Sequence, residues 1–213
     1  MESPRRKLRW FQFSLRTLFL LVTLCAVPCS WLGVKFQQVR RERVAAAEIE
    51  KLGGVVRWSD RFFPAIECAD CGKITDTELA HLEGLSELRS LWLDSSEVTD
   101  AGLIHLERLS QLRGVVLDRT QVTGAGLTHL EGLPQLVELS LHSTQVTDSG
   151  LVHLERLKEL RWLGLNNTQV TDAGLAHLEG LSQLQTLWLR NTQVTDAGVK
   201  RLQQALPNCS IER

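Results

Sequence analysis

Five of the six histidines fall 24 residues apart, at His81, His105, His129, His153 and His177. A repeating fold would bring such imidazoles side by side, and two neighbours could then share a metal ion. Against this, each histidine precedes a leucine in the same duplicated phrase, and the next copy carries Arg201 in its place. The structural reading of the histidines is therefore preferred. Cys68-Ala-Asp-Cys71 is the other candidate for metal or redox chemistry, but no second ligand pair stands at a matching distance. Acid and histidine pairs such as His153 and Glu155 recur only because the phrase recurs. The chain contains no GxSxG, HExxH, phosphate-loop or dinucleotide-loop pattern. No catalytic residue, no metal and no cofactor is expected.

The elements that carry these residues follow from the same period. From Thr75 the sequence repeats every 24 residues, with units beginning at Thr75, Thr99, Thr123, Thr147 and Thr171 and a partial sixth at Thr195. In the fourth unit Leu151, Leu154, Leu157 and Leu160 are spaced by three, as along one face of a helix and its exit turn. Leu163 and Leu165 are spaced by two, as on the buried face of a strand. One unit cannot bury both faces alone, so neighbours must stack. Thr-Asp before each helical run supplies side-chain oxygens for the unpaired amides of the first turn. Thr75-Asp76-Thr77-Glu78 reads as a capping box, whereas Gly102, Gly126, Gly150 and Gly174 occupy the Glu position at the later junctions. Ser96, Thr120, Thr144, Thr168 and Thr192 form a column expected to hydrogen-bond loop backbone between adjacent units.

The run from Leu160 to Val170, LRWLGLNNTQV, has the form LxxLxLxxTxV and resembles the leucine-rich repeat, with Thr168 where many members carry Asn or Cys. Five copies in register extend the resemblance from Thr75 to the C-terminus. The FSLRTLFLLVTLCAV segment, the VTDAGL junctions and the closing ALPNCSI are together similar to small membrane-anchored leucine-rich-repeat proteins of planctomycete-type bacteria. The resemblance implies an α/β solenoid with a curved parallel sheet on its concave side, helices on its convex side and one N-terminal transmembrane helix.

Charge divides the chain. Through Arg43 there are nine Lys/Arg against two acids, and from Val44 onward fifteen against twenty-three. An acidic body would repel phosphates, so no nucleic-acid partner is expected. Residues 1–16 form a basic tail, and the uncharged stretch from Thr17 to Val34 would span about 27 Å as a helix, enough for a bilayer core. Trp10, Phe11, Phe13 and Trp31 lie near its ends, where interfacial rings are favoured. Two readings compete with a membrane anchor: a cleaved signal peptide, for which Pro28 spoils the site at Ala26-Val27-Pro28, and a buried core helix. The anchor is preferred, giving a single-pass membrane protein. Basic residues are balanced on the two sides, with Arg5, Arg6, Lys7, Arg9 and Arg16 before the span and Lys35, Arg40, Arg41, Arg43 and Lys51 after it. The usual behaviour of signal anchors places the repeat body outside the cytoplasm. Residues 35–54 read as a helical stalk ended by Gly53-Gly54, 55–74 as an N-terminal cap, 75–194 as five repeats, and 195–213 as a partial repeat and C-terminal cap.

The repeat pattern breaks down, while the leucines persist, at positions that point out of the strands on the inner curve. These are Ser90, Gly114, Glu138, Trp162 and Thr186; then Trp92, Val116, Ser140, Gly164 and Trp188; then Asp94, Asp118, His142, Asn166 and Arg190. Trp and Arg are favoured at binding hot spots. Trp92, Trp162 and Trp188 are thus the expected anchors of a recognition surface, with Glu138, Asp94, Asp118, His142 and Arg190 supplying polar specificity and shallow hollows at Gly114 and Gly164. The competing reading is that each indole merely covers the sheet. Five strands about 4.8 Å apart make a face only some 25 Å across, which suits a protein loop, a peptide or a short glycan. A structural spacer or self-assembly element is the alternative. A ubiquitin-ligase-like adaptor is a third, although no helical docking domain precedes the repeats.

Overall fold

The computed structural model describes residues 15–51, 53–58, 66–71 and 74–213, and the side chains of 15–30, 66–68 and 70 fall outside that description. The basic tail through Ser14 therefore lies outside the described residues, as does any pairing of Cys68 with Cys71. The chain forms two units, 1–38 and 39–213. Helix α1, Leu15–Lys51, carries the uncharged stretch, whose side chains before Trp31 are not among those described. Among the described residues, no helix is long and apolar enough to cross a membrane.

Among the described residues, the second unit is built on one sheet of eight strands in sequence order. They are β1 (Val55–Trp58), β2 (Ile66–Asp70), β3 (Ser90–Trp92), β4 (Gly114–Val116), β5 (Glu138–Ser140), β6 (Trp162–Gly164), β7 (Thr186–Trp188) and β8 (Ser210–Glu212). The β1–β2 pair is antiparallel; every later pair is parallel. Leu91, Val115, Leu139, Leu163 and Leu187 at the strand centres are fully buried and stack one repeat upon the next.

The helical side is tighter than an α-helix. A single α turn, as in α2 (Asp76–Leu79), α3 (Asp148–Leu151) and α4 (Asp172–Leu175), gives way to 3-10 helix. In the second and third repeats 3-10 helix alone forms, over Gly102–Leu106 and Gly126–Leu130. The leucine spacing explains this. Three residues per turn is the 3-10 period, so side chains at i, i+3 and i+6 line up on the core.

Between repeats runs a column of hydrogen bonds. Each junction Asp reaches forward to the next repeat's Thr: Asp76 to the Thr99 amide (2.8 Å) and hydroxyl (2.6 Å), and Asp172 likewise to Thr195 (2.7 and 2.6 Å). Asp100–Thr123 and Asp148–Thr171 repeat the pattern. This is why Gly replaces Glu after the first junction. A Cβ at Gly102, Gly126, Gly174 or Gly198 would come within 2.4 Å of the preceding repeat's Asp carboxylate. Only Glu78, in the first unit, reaches back to its cap, accepting from the Thr75 amide at 2.8 Å. The column is interrupted once. Gly124 stands where the third unit would carry Asp, its Cα lies against Gly150, and the Thr147 hydroxyl meets Ser149 instead.

The Thr column differs from expectation. The hydroxyls of Thr120, Thr144, Thr168 and Thr192 donate to carbonyls three residues back in their own unit, each at 2.7 Å, rather than to a neighbouring unit. An i→i−3 carbonyl is within reach of a short hydroxyl; the next strand is not. The Ser96 hydroxyl is buried without a partner among the described residues.

Both ends of the sheet are capped. Ala45, Ala46 and Ile49 of α1 are buried with the leucine core, so part of the segment expected as a stalk is core-forming. Gly53, just past the end of α1, has φ +83°, and the Gly54 amide returns to the Ile49 carbonyl at 2.9 Å. At the other end α5, Asp196–Ala205, buries Leu202, and Leu206 follows it into the core beneath β8.

Candidate functional site

Most residues of each repeat are spent on structure before any remains for a ligand, and the histidines are among them. His105, His129, His153 and His177 each hold Nδ1 at 2.5–2.7 Å from a glutamate 22 residues earlier, respectively Glu83, Glu107, Glu131 and Glu155. The His153 bond is the main reason the Glu131 carboxyl titrates below its ordinary value of 4.5. The column thus staples one repeat to the next along the helical side. Of these glutamates the sequence pattern brings forward only Glu155, beside His153; the structure pairs Glu155 with His177 and His153 with Glu131, because the true partners lie almost a full period away. Cys209 is equally inward-looking: burial pushes its thiol up to about 11, away from reactivity.

The open face of the sheet carries the rows expected from the sequence. Strand register aligns Ser90, Gly114, Glu138, Trp162 and Thr186 in one row, and Trp92, Val116, Ser140, Gly164 and Trp188 in the next. None of the three indoles enters the leucine core. Trp92 is 37% exposed and Trp162 36%, and Trp188 is partly covered. The cover is His142, whose imidazole meets the Trp188 ring edge-on, with centroids 6.2 Å apart.

His142 also fills the hollow expected at Gly164, where a Cβ would stand 2.5 Å from the imidazole. The hollow at Gly114 is bordered by the Glu138 carboxylate and the Ser90 hydroxyl, at 3.7 and 3.6 Å from a Cβ placed there. At Gly164 the space of the missing side chain is taken by its longer neighbour, whereas at Gly114 both neighbours stay at van der Waals distance and the shallow hollow remains. Trp162, Trp188 and His142 therefore form one surface over β6 and β7. Trp92 stands four strands from Trp188, about 19 Å at the usual spacing.

The third row is largely committed to the backbone. Asp118 Oδ1 accepts from the His142 amide (2.9 Å) and the Ser140 hydroxyl (2.6 Å). His142 Nδ1 accepts from the Asn166 amide (3.0 Å), and Asn166 Oδ1 from the Arg190 amide (2.7 Å). Accepting at Nδ1 leaves the His142 proton on Nε2. Asp94 is paired with Arg119, and Arg190 with Glu212 at 3.1 Å. Arg119 is one of five non-glycine residues at positive φ among the described residues, one per repeat, with Ser95, Ser143, Asn167 and Asn191. Asp118 thus serves chiefly to order the sheet edge, and Arg119 and Glu212 are neighbours the sequence pattern did not reveal. A side chain's turn into the left-handed region leaves no trace in leucine spacing.

A family model described as leucine-rich repeats (2 copies) matches residues 158–201. A leucine-rich-repeat protein of Leptospira interrogans is similar over 63% of this chain and 33% of its own, with 24% identity and a TM-score of 0.53. Internalin C2 of Listeria monocytogenes is similar over 68% of this chain and 70% of its own (24% identity, TM-score 0.49). A second Listeria internalin is similar over 62% and 49% (20% identity, TM-score 0.41). The chain spans only a third of the Leptospira protein, and that likeness shows the fold alone. Comparison with curated proteins gives no match.

Proposed function

We propose that this leucine-rich-repeat protein is a non-catalytic scaffold that binds protein or peptide through the open face of its sheet. The observation that carries the reading is the exposure of Trp162 beside the His142–Trp188 pair. Large aromatic surface has been left in water although every leucine position around it is filled. Anchors of this kind, flanked by groups already satisfied, are typical of hot spots. Glu138 and the Arg190–Glu212 pair border the aromatic area and supply charge. A short glycan stacking on the indoles is the second ligand class the same face would suit. Affinity capture with the full chain compares wild type with a Trp92→Ala, Trp162→Ala, Trp188→Ala variant of unchanged melting temperature. Loss of a wild-type partner is expected, and identical partner sets contradict the reading.

The protein is further proposed to be held at a membrane by Thr17–Val34, with the repeat body outside the cytoplasm. The uncharged length of that stretch and its flanking basic residues support this. Protease added to intact cells is then expected to digest the repeat body. Protection until the membrane is breached would place it on the other side.

A further inference from the structure

The column of residues entering the strands reads Arg89, Arg113, Val137, Arg161 and Gln185. Main-chain hydrogen bonds link three of them in line: the Val137 amide donates to the Arg113 carbonyl and the Arg161 amide to the Val137 carbonyl, each at 2.8 Å. Val137 is thus a short apolar residue between two long cationic ones, and a notch opens above it. The notch has a volume of about 410 Å³ and is lined by Arg113, Gln135, Val137, Glu159 and Arg161. Its two arginines stand on strands two spacings apart, about 10 Å.

A buried, unpaired donor separates this notch from a solvated groove. Arg119, Arg156, Arg190 and Arg213 are each paired with a carboxylate, whereas Arg89, Arg108 and Arg201 have no ion pair among the described residues. Arg113 and Arg161 have no ion-pair partner among the described residues, although Glu159 lines the same space. The Nε of Arg161 is also buried and without a hydrogen-bond partner among the described residues. A donor shielded from bulk water and left unpaired costs free energy that an acceptor arriving in the notch would recover.

We infer that the notch over Val137 is a binding site for the C-terminal carboxylate of a short peptide. Two guanidinium groups against one carboxylate leave a single net positive charge, which matches a monoanion. The planar fork of arginine suits a carboxylate bidentately. Glu159 opposes the closer approach of a phosphate dianion, and Gln135 offers both a donor and an acceptor to the peptide group beside the carboxylate. Val137 gives the last side chain an apolar floor. The site uses none of the tryptophans, so it stands or falls apart from the scaffold reading.

The test titrates the full chain with N-acetyl-dialanine bearing a free carboxylate, its C-terminal amide, N-acetyl-glutamic acid α-amide, and inorganic phosphate. Calorimetry is expected to give a dissociation constant on the order of 1 mM or tighter for the free carboxylate. The amide should bind about tenfold or more weakly, as should the carboxylate to Arg113→Gln and Arg161→Gln variants of unchanged melting temperature. Equal binding of acid and amide to the wild-type protein would overturn the proposal whatever the variants do. So would phosphate binding as tightly as the acid, or the glutamate side chain binding more tightly than the peptide terminus.

Discussion

Asp172 accepts both the hydroxyl and the amide of Thr195, and these two bonds, the hydroxyl first, hold its carboxyl below the ordinary value of 3.8. Glu131 is held down in the same direction by His153. A carboxyl whose folded-state pKa lies below its unfolded value stabilises the fold above the unfolded value, and that contribution fades as pH falls through the folded value. Both contributions are therefore complete above about pH 4.5 and vanish in stronger acid. An Asp172→Asn variant should melt at a lower temperature than wild type at pH 7. The gap should narrow as the pH is taken below 4, because the acid form of Asp172 has already lost the same interaction. Thermal unfolding followed by circular dichroism at the two pH values checks this; a gap that stays constant contradicts it. The Thr, Asp and His columns were legible as columns because the period displays them. Their partners were not, since a repeat aligns equivalent residues without saying which of 22, 23 or 24 residues' separation closes in space.

At the scale of the element, the leucine pattern was sufficient for strand positions and for which face is buried, down to the row order on the open sheet. A leucine spacing of three also matches the 3-10 period, which is why the helical turns are tighter than the α-helix that one apolar face alone suggests. What it could not display is how close two layers approach. Gly124 and Gly150 bring backbone against backbone, and a Cβ added at Gly150 would stand 2.4 Å from the Gly124 Cα. Neither atom belongs to a flexible side chain, so the layers themselves must part. Gly150→Ala should therefore destabilise the protein by about 1–3 kcal/mol. Gly132→Ala, whose Cβ meets only the Glu107 carbonyl at 3.7 Å, should leave it close to unchanged. Chemical denaturation of the two variants separates the cases, and equal loss in both would contradict the packing account.

Across the whole molecule, buried leucines and inter-repeat bonds fix a platform, and the residues left over from that work are few. The candidate surface was legible in part: the tryptophans lie on the open face as their strand positions require. The hollow at Gly164 was misjudged, because the His142 imidazole occupies space that a glycine only appears to vacate in a sequence, whereas at Gly114 the neighbours stay at van der Waals distance. The Arg113–Arg161 notch was not legible, since a single Val among arginines has meaning only once the column is seen edge-on. The account's central claim is that contact with a partner occurs on the open face over β6 and β7. Site-specific photo-crosslinking in cells tests it most directly, with benzoylphenylalanine placed at position 162, or at exposed Ala176 on the helical side. A discrete protein adduct is expected from position 162 and none from 176; adducts from 176 alone, or the same adduct from both, would rule out partner contact on the open face.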